Sequence, residues 1–472
     1  MTPPDYTPED RPVAALLAPD ILALLDDAPT AVAADTEELH AADLADVAEL
    51  LPRDKVPALL AALPPQRAAD VLEYLDEDLR TEVLEAMSAR QAAALVSEMT
   101  PDDRADTLEE IEEERAEEIL AAISVEARRE TEKLLAYEPD TAGGLMTTEF
   151  VSVPASMTVE AALVSVRNIA RSGRREAMYQ IYVTDENGRL NGVLSLRELL
   201  AAPEGAKVGD VAWTEVVTVA AQSDREEVSR AISNYDLVAV PVVDDNHRVL
   251  GVVTVDDVID AIQEEQTEDV QKFGGMEALD EPYMQIGFWR MVQKRGGWLS
   301  ALFLSEMLTA SAMNHYGAEL AKAIVLVAFI PLVMSSGGNS GSQATSLIIR
   351  ALALGEIRLR DWWRIALREL PTGLMLGSIL CVLGIARILL WQHTGLTDYG
   401  LHHNLVAFTV GVALIGIVTF GSLAGSMLPF VMKGLGFDPA SASAPFVATL
   451  VDVTGLVIFF TVAQVFLRGT LL

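Results

Sequence analysis

The feature that most constrains the fold is a series of long apolar segments confined to the last third of the chain. Each segment is long enough to cross the roughly 30 Å hydrocarbon core of a bilayer as an α-helix. Uninterrupted apolar segments of this length favour helices, because helices satisfy their own backbone polar groups in lipid. Residues 296–472 are therefore predicted to form a polytopic α-helical membrane domain in the lipid bilayer. Its five spans are predicted at about 297–317, 320–349, 364–391, 404–432 and 443–467.

The charged residues are divided unevenly along the chain. Residues 296–472 contain 8 acidic and 9 basic residues, which leaves 61 of the 69 acidic and 25 of the 34 basic residues in residues 1–295. Such an acidic surface repels nucleic acid and attracts divalent cations. We therefore expect no nucleic-acid partner. For most of these carboxylates a solvated surface is a sufficient explanation.

The basic residues near the spans predict the orientation of the membrane domain. Five arginines lie between the end of the second span and the first turns of the third, within residues 350–368, whereas the next loop, residues 392–404, has no Lys or Arg. Positive loops stay in the cytoplasm, so the N-terminus is predicted to be cytoplasmic and the C-terminus outside. The first residues also lack the features of a secretory signal. We therefore predict a multi-pass protein of the cytoplasmic (inner) membrane.

An acidic repeat precedes the membrane domain. Residues 1–35 are rich in Pro, Ala and Asp and are predicted to be loosely ordered. Beyond them, apolar residues recur every 12 positions, most with an apolar residue three positions earlier, which indicates one helical stripe per repeat. Residues 36–138 are therefore predicted to form an α-superhelical domain. The recurring residues are Leu51, Leu63, Leu75, Met87, Met99, Ile111 and Ile123.

A second repeat follows. Residues 181–200 align with residues 240–259, so that Asp185 pairs with Asp244 at an offset of 59. The β-branched runs and intervening turn residues indicate a β-α-β-β-α unit in each copy. The doubled unit resembles a tandem pair of CBS domains. This resemblance implies a site for an adenine nucleotide or a metal, and it leaves open whether ATP binds.

Residues 255–273 are predicted to form one unusually acidic helix. Asp260, Glu264 and Glu268 follow one another at steps of four, which places like charges side by side and destabilises a helix. A bound cation would remove the repulsion; an exposed acidic helix without a ligand is the alternative interpretation.

One carboxylate stands out in the last span. Asp452 has no Lys or Arg in that segment, and an ionised side chain at bilayer depth persists where it meets water, a partner or an ion. Asp452 is therefore a candidate cation site in a water-filled path, with a hydrogen bond to a neighbouring helix as the alternative. Asp438, before this span, can contact an ion or cap a helix that starts at Pro439.

The second span contains a Gly- and Ser-rich stretch, residues 331–343, that includes Pro331 and Asn339. One interpretation is a loosened helix that offers oxygen atoms to an ion. The other is a close helix–helix contact through small residues. The sequence supports both equally.

The chain has no P-loop, HExxH or nucleophile-elbow motif, so we predict that it is not an enzyme. Carboxylates without Cys or His favour a hard cation such as Mg²⁺ or Ca²⁺ over zinc.

Taken together, the segments from about residue 36 onwards resemble the MgtE family of magnesium transporters and channels. The resemblance rests on the motifs AGGLMT, VTVDDV, TEDVQK, GGNSG, LIIRALA, FDPA and PFVATLVDVTG. It implies a homodimer whose spans enclose one pore on the two-fold axis. Asp452 would be the pore carboxylate, with a carbonyl near Ala448 beside it and Asn339 in the adjacent polar segment.

The resemblance also implies regulation by cytosolic Mg²⁺. The acidic helix corresponds to the plug helix of the family, and Mg²⁺ bound to the cytoplasmic domains, plug and pore mouth would hold the pore shut. The matching metal ligands, besides Asp452, are Asp102, Asp106, Glu226, Asp236, Asp256, Asp257, Asp260, Glu265, Glu268, Asp269 and Asp438.

The predicted fold class is multi-domain, mainly α with an α+β part. After residues 1–35 and 36–138, the predicted segments are CBS domain 1 (139–203), CBS domain 2 (204–254), the plug helix and its connection (255–295) and the membrane domain (296–472). The predicted function is Mg²⁺ uptake across the cytoplasmic membrane, inhibited by cytosolic Mg²⁺. The alternatives are a broader divalent transporter that accepts Co²⁺ or Mn²⁺, and a membrane-anchored CBS nucleotide sensor.

Overall fold

The chain forms two structural units, residues 2–262 and residues 263–472. The computed structural model describes residues 12–171, 180–279, 283–284, 286–317 and 322–471.

Short helices fill the first part of the chain, as the 12-residue repeat predicts. Most of the recurring apolar residues are buried, but they do not lie inside the helices as the predicted stripe would have them. Leu51, Leu63 and Met87, for example, are helix C-caps in extended conformation. The Pro or Ser that follows each of them is the next N-cap. The helices are α1 (Pro12–Asp27), α2 (Val32–Asp35), α3 (Ala41–Leu50), α4 (Val56–Ala62), α5 (Pro65–Glu73), α6 (Glu77–Ala86), α7 (Ala89–Val96), α8 (Pro101–Glu110), α9 (Glu113–Ala122) and α10 (Val125–Leu134).

The prediction that residues 1–35 are loosely ordered is wrong for the part that the structure describes, residues 12–35. Ala14, Ala18, Ile21 and Leu25 on α1 are buried in the apolar core of the helical repeat. These four residues lie on one face of the helix, and their spacing outweighs the Pro- and Asp-rich composition. Residues 1–11 lie outside the described part of the chain.

Two three-stranded sheets follow, and they confirm the second repeat. In each sheet the first strand runs parallel to the second and the third pairs antiparallel. The register shifts between Val183 and Thr184 in one sheet and between Val242 and Val243 in the other, so the irregularity repeats too. The strands are β1 (Val151–Pro154), β2 (Ile181–Thr184), β3 (Leu190–Leu194), β4 (Val219–Ala220), β5 (Ala239–Val243) and β6 (Val249–Thr254).

Helices pack beside these sheets, and the last of them is the predicted acidic helix. They are α11 (Val159–Arg171), α12 (Leu196–Ala201), α13 (Val208–Val211), α14 (Arg225–Tyr235) and α15 (Val255–Phe273).

Long helices form most of the remaining chain that the structure describes. They are α16 (Phe288–His315), α17 (Ile330–Ala353), α18 (Trp362–Thr394), α19 (His403–Gly434) and α20 (Ala444–Leu467). Among the described residues, four segments are long and apolar enough to cross a membrane: Ile324–Ala353, Leu359–Thr394, His403–Gly434 and Ala444–Leu467. The first predicted span, 297–317, falls largely in α16. That helix is long enough but not among the four, because Glu306 and several Ser, Thr and Asn residues lower its mean hydropathy.

Candidate functional site

Asp452 and Ala448 lie one turn apart on α20, and both are half-buried. The neighbouring positions Val447 and Val451 are fully buried where α20 packs against α17 and α19. A Cβ atom added to Gly338 of α17 would lie 3.4 Å from the Ala448 Cβ. The predicted pore residues Asp452 and Ala448 therefore lie on α20 directly beside the face that packs against α17 and α19.

A second carboxylate lies near Asp452. Glu306 on α16 is close enough to Asp452 to interact with it electrostatically, and α16 packs against α20. Asp452 was predicted from the sequence, whereas Glu306 was not. Glu306 could have been predicted from the sequence, because an ionisable residue inside a predicted span such as 297–317 is by itself an indication of function.

The Gly- and Ser-rich stretch of α17 makes a close helix contact. The helix is continuous from Ile330 to Ala353, and Pro331 stands in its first turn, where no hydrogen bond is lost. A Cβ on Gly421 of α19 would lie 2.3 Å from the Gly337 carbonyl oxygen, so the two backbones touch. The interpretation as a close helix–helix contact is confirmed, and the interpretation as a loosened helix is wrong.

Another face of α17 is polar and exposed. Ser335, Asn339 and Gln343 follow one another at steps of four residues, and all three are exposed in the single chain. Asn339 Nδ2 lies 3.5 Å from Ser335 Oγ. A polar stripe on a helix in a membrane is favourable against water or protein rather than lipid.

Asp438 has two roles in the structure. Its Oδ1 accepts a hydrogen bond of 2.8 Å from the Ala440 N–H, which confirms the predicted cap of the short 3₁₀ helix Pro439–Ser441. Its Oδ2 accepts a hydrogen bond of 2.6 Å from Lys272 Nζ at the end of α15. Lys272 also pairs with Glu268, and the sequence analysis missed it. Burial lowers the pKa of Lys272, but the two carboxylates outweigh burial and raise the pKa above its ordinary value.

A group of carboxylates, the acidic cluster, lies in the unit of residues 2–262. It is formed by Glu73 on α5, Asp102 and Asp103 on α8, and Asp256 and Asp257 on α15. Asp102 is only 5% exposed, and its Oδ1 has no hydrogen-bond partner among the described residues.

The pKa values of the acidic cluster show mutual repulsion. Burial, followed by Asp103 and other neighbouring carboxylates, raises the pKa of Glu73 to about 8. Burial and the neighbouring Asp103 likewise raise the pKa of Asp102, and burial and Asp102 raise the pKa of Asp257. A positive charge placed among these groups would remove both the burial penalty and the repulsion. Glu73 and Asp103 were missed by the sequence analysis.

The other predicted ligands lie in several places. Asp106 on α8 and Asp260 on the first half of α15 border the acidic cluster, because Asp106 interacts with Asp102 and Asp103, and Asp260 with Asp256. Glu265, Glu268 and Asp269 are half-buried on the second half of α15. On α14, Glu226 pairs with Arg230 at 2.8 Å, and Asp236 ends the helix with a φ of 51°. Neither is among the main causes of the shifted pKa values of the acidic cluster.

The carboxylates are gathered rather than arranged around one ion. Within the part of the chain that the structure describes, no group of three or more His, Cys, Asp or Glu side chains has the geometry to hold a metal ion. Closure of the acidic cluster around a cation would therefore require its side chains to move together.

Comparisons with known proteins define the class. A family model described as a divalent cation transporter matches residues 330–462, and the CBS domain model matches residues 142–205 and 208–264. The model of the MgtE intracellular N domain matches residues 39–140. The chain is thus a membrane transporter of the divalent-cation class with an acidic helical domain and a CBS pair.

The relatives then identify the family. The chain is 43% identical over 342 residues to the magnesium transporter MgtE of Thermus thermophilus, which covers 72% of this chain and 73% of that protein. The crystal structure of the soluble part of a magnesium transporter matches with 32% identity and a TM-score of 0.50, covering 53% of this chain and 99% of that one. The chain belongs to the MgtE family of magnesium transporters.

One further solved structure is the cytosolic domain of the Mg²⁺ channel MgtE in complex with ATP. It matches with 37% identity and a TM-score of 0.47, covering 52% of this chain and 96% of that one.

Proposed function

We propose that this protein conducts Mg²⁺ across the cytoplasmic membrane along a path that contains Asp452. The observation that carries the proposal is a half-buried carboxylate on a membrane-spanning helix, with a second carboxylate, Glu306, near it. Among the described residues, no side chain forms a hydrogen bond or ion pair with Asp452. An uncompensated carboxylate at bilayer depth, with a second carboxylate near it, favours a cation beside them.

The path is formed by two copies of the chain. The polar stripe of Ser335, Asn339 and Gln343 is exposed in one copy, and a second copy across a two-fold axis would turn it toward water instead of lipid. Mg²⁺ keeps several of its waters, so Asn339, the carbonyl near Ala448 and Asp452 would select a hydrated ion through water-mediated contacts. The proposal therefore includes the homodimer that the resemblance to the MgtE family implies.

Cytosolic Mg²⁺ closes the path. The buried Asp102 and its neighbours repel one another, so a divalent ion binds best in the conformation that brings them together. A ligand shifts a conformational equilibrium only by its difference in affinity for the two states. The predicted ligands on α8, α14 and α15, with Asp438 at the pore mouth, would supply that difference through several weak sites.

The orientation predicted from basic residues completes the proposal. The acidic domains and the N-terminus lie in the cytoplasm, and the C-terminus lies outside. In this scheme the CBS pair is a candidate site for ATP. The alternatives are transport of Co²⁺ or Mn²⁺ beside Mg²⁺, and a nucleotide sensor that only uses the helices as an anchor.

The test is Mg²⁺ flux into proteoliposomes, with Mg²⁺ varied on the side of the acidic domains. Asp452→Asn is expected to remove most of the flux. Thr461→Ala is the matched control, because Thr461 is an exposed polar residue of the same helix, and among the described residues its hydroxyl donates a hydrogen bond only to Val457 O. Competition by Co²⁺ and Mn²⁺ measures the selectivity.

Unchanged flux through inserted Asp452→Asn protein would remove Asp452 from the path. No flux through inserted wild-type protein, together with nucleotide binding, would favour the sensor. Wild-type flux that is insensitive to Mg²⁺ on the side of the acidic domains would leave transport standing and overturn the proposed closure.

A further inference from the structure

We infer that Lys272 is an internal cation that occupies the carboxylate pair of Glu268 and Asp438 and competes with a divalent cation for it. The inference rests on the proposed closure of the path by cytosolic Mg²⁺. It adds to that proposal a residue that sets the Mg²⁺ concentration at which closure occurs.

Lys272 contacts both carboxylates of the pair. Its ammonium group lies 2.6 Å from Asp438 Oδ2 and also contacts Glu268 Oε1. The three side chains are 26%, 34% and 27% exposed, so this ion triad is only partly open to solvent. Glu268 precedes Lys272 by four residues, which places both side chains on one face of α15.

The triad lies close to the start of α20. Just beyond Lys272, Gly275 has a φ of 79°, and a Cβ there would lie 3.0 Å from the Trp298 ring and 3.1 Å from Pro445 Cγ. Trp298 Nε1 donates a hydrogen bond of 3.2 Å to Ser443 Oγ, and Ser443 is the N-cap of α20. Lys272 therefore links the end of α15 to the segment that starts the helix of Asp452.

The positive charge of Lys272 changes the net charge that a divalent ion meets at the carboxylate pair. Without Lys272, the pair of carboxylates has two negative charges; with it, the net charge of the triad is reduced by one. A divalent ion can contact both carboxylates only if the ammonium group moves away, because like charges at contact distance repel strongly in a partly buried site. Lys272 therefore lowers the affinity of this pair for a divalent ion.

A different role for Lys272 predicts the opposite result. If the lysine only tethers α15 to the segment 438–443 so that the path can close, its removal weakens inhibition by Mg²⁺. If it competes with Mg²⁺, its removal strengthens inhibition. The direction of the change thus separates the two roles.

The experiment uses the full-length protein in proteoliposomes, with Mg²⁺ varied on the side of the acidic domains. Lys272→Met keeps the length of the side chain and removes its charge, whereas Lys272→Arg keeps the charge. The half-inhibitory Mg²⁺ concentration is expected to fall by about three- to tenfold for Lys272→Met and to stay near the wild-type value for Lys272→Arg. An unchanged or higher value for Lys272→Met would overturn the inference.

A second variant tests whether the effect runs through the carboxylate pair. In the Glu268→Gln background, Lys272→Met is expected to have little further effect on the half-inhibitory concentration. An undiminished shift in that background would also overturn the inference.

Calorimetric titration of the purified full-length protein with Mg²⁺ keeps the inference separate from the proposed function. Tighter binding by Lys272→Met than by wild type is expected even if flux proves insensitive to Mg²⁺, which would overturn the proposed closure alone. Equal or weaker binding would contradict the competition itself.

Discussion

Asp257 occupies the position in the second CBS repeat that Glu198 occupies in the first, 59 residues earlier, and each carboxylate accepts a hydrogen bond at the start of its helix. The Ser195 N–H donates to Glu198 at 2.7 Å, and the Thr254 hydroxyl donates to Asp257. The pKa values of the two side chains are nevertheless shifted in opposite directions. The backbone hydrogen bond from Ser195 lowers the pKa of Glu198, whereas burial and Asp102 raise the pKa of Asp257.

Burial is the largest cause of the raised pKa of Asp257, and Asp102 and Asp103 add to it, whereas Glu198 also accepts a hydrogen bond of 2.6 Å from Trp213 Nε1. Hydrogen bonds therefore dominate at Glu198, whereas burial beside the carboxylates of α8 dominates at Asp257. The second repeat thus uses a structural position of the CBS fold to bring a carboxylate to Asp102.

The acidic cluster predicts that folding stability falls as pH rises. A carboxyl whose folded pKa lies above its unfolded value binds more protons in the folded state, so its contribution is lost as pH rises from about 4 toward the folded pKa. For Glu73 this window ends near its folded pKa of about 8. The measurement is the unfolding temperature in Mg²⁺-free buffer between pH 5 and pH 8. Each kcal/mol of lost stability should lower this temperature by on the order of a few °C.

Glu73→Gln is expected to flatten this pH dependence. Glu198→Gln is the matched control, because the lowered pKa of Glu198 contributes stability that is present above about pH 4 and lost below it. Mg²⁺ is expected to raise the unfolding temperature most at pH 8, where the cluster is ionised. A stability that rises from pH 5 to pH 8 without Mg²⁺ would contradict the prediction.

Neutralising the start of α15 is expected to weaken inhibition while conduction continues. The variant combines Asp256→Asn, Asp257→Asn and Asp260→Asn; the amide oxygen at position 257 can still accept the hydrogen bond from Thr254. The half-inhibitory Mg²⁺ concentration should rise by about tenfold or more, since several weak sites act together. Glu186→Gln, in an exposed turn, serves as the control. Wild-type inhibition in the triple variant would place the sensor elsewhere.

Glu306→Gln is expected to reduce Mg²⁺ flux, most clearly at low Mg²⁺. A negative charge beside Asp452 raises the local concentration of cations, and such focusing is worth about tenfold or more at low ionic strength. The effect should shrink when salt is added or when Mg²⁺ saturates the path. Glu356→Gln, an exposed carboxylate after α17, is the control. A loss of flux that is independent of Mg²⁺ and salt would point instead to misfolding of α16.

Sequence periodicity predicted those features that depend on neighbours along the chain. The 12-residue repeat, the 59-residue offset and the acidic helix over residues 255–273 are all read from local patterns, and each has its counterpart in the structure. On α1 the helical spacing of the apolar residues is also a local pattern, and it is a better guide to the structure than the Pro- and Asp-rich composition.

Contacts between distant residues could not be predicted in this way. Lys272 and Asp438 are 166 positions apart, and only the packed chain brings the ammonium group to the carboxylate. The partnership of Glu306 with Asp452 likewise depends on how α16 packs against α20. For the Gly- and Ser-rich stretch, the sequence offered two interpretations, and the approach of Gly421 to Gly337 distinguishes them.

That contact between α17 and α19 yields the last prediction. Gly421→Ala would place a Cβ 2.3 Å from the Gly337 carbonyl oxygen, a backbone atom that cannot rotate away, so the helices must separate. We expect destabilisation of the membrane domain by roughly 1–3 kcal/mol, the usual range for overpacking. The measurement is the unfolding temperature of detergent-solubilised protein, together with the monodisperse fraction on size exclusion.

Gly434→Ala is the matched control, because Gly434 lies in the same helix and a Cβ there meets no atom within 4 Å. It should behave as wild type or slightly better, since alanine favours a helix over glycine. If Gly421→Ala were as stable as Gly434→Ala, the two backbones could not be in contact at that point. The polar face of α17 would then have to be assigned anew, because its direction follows from that packing.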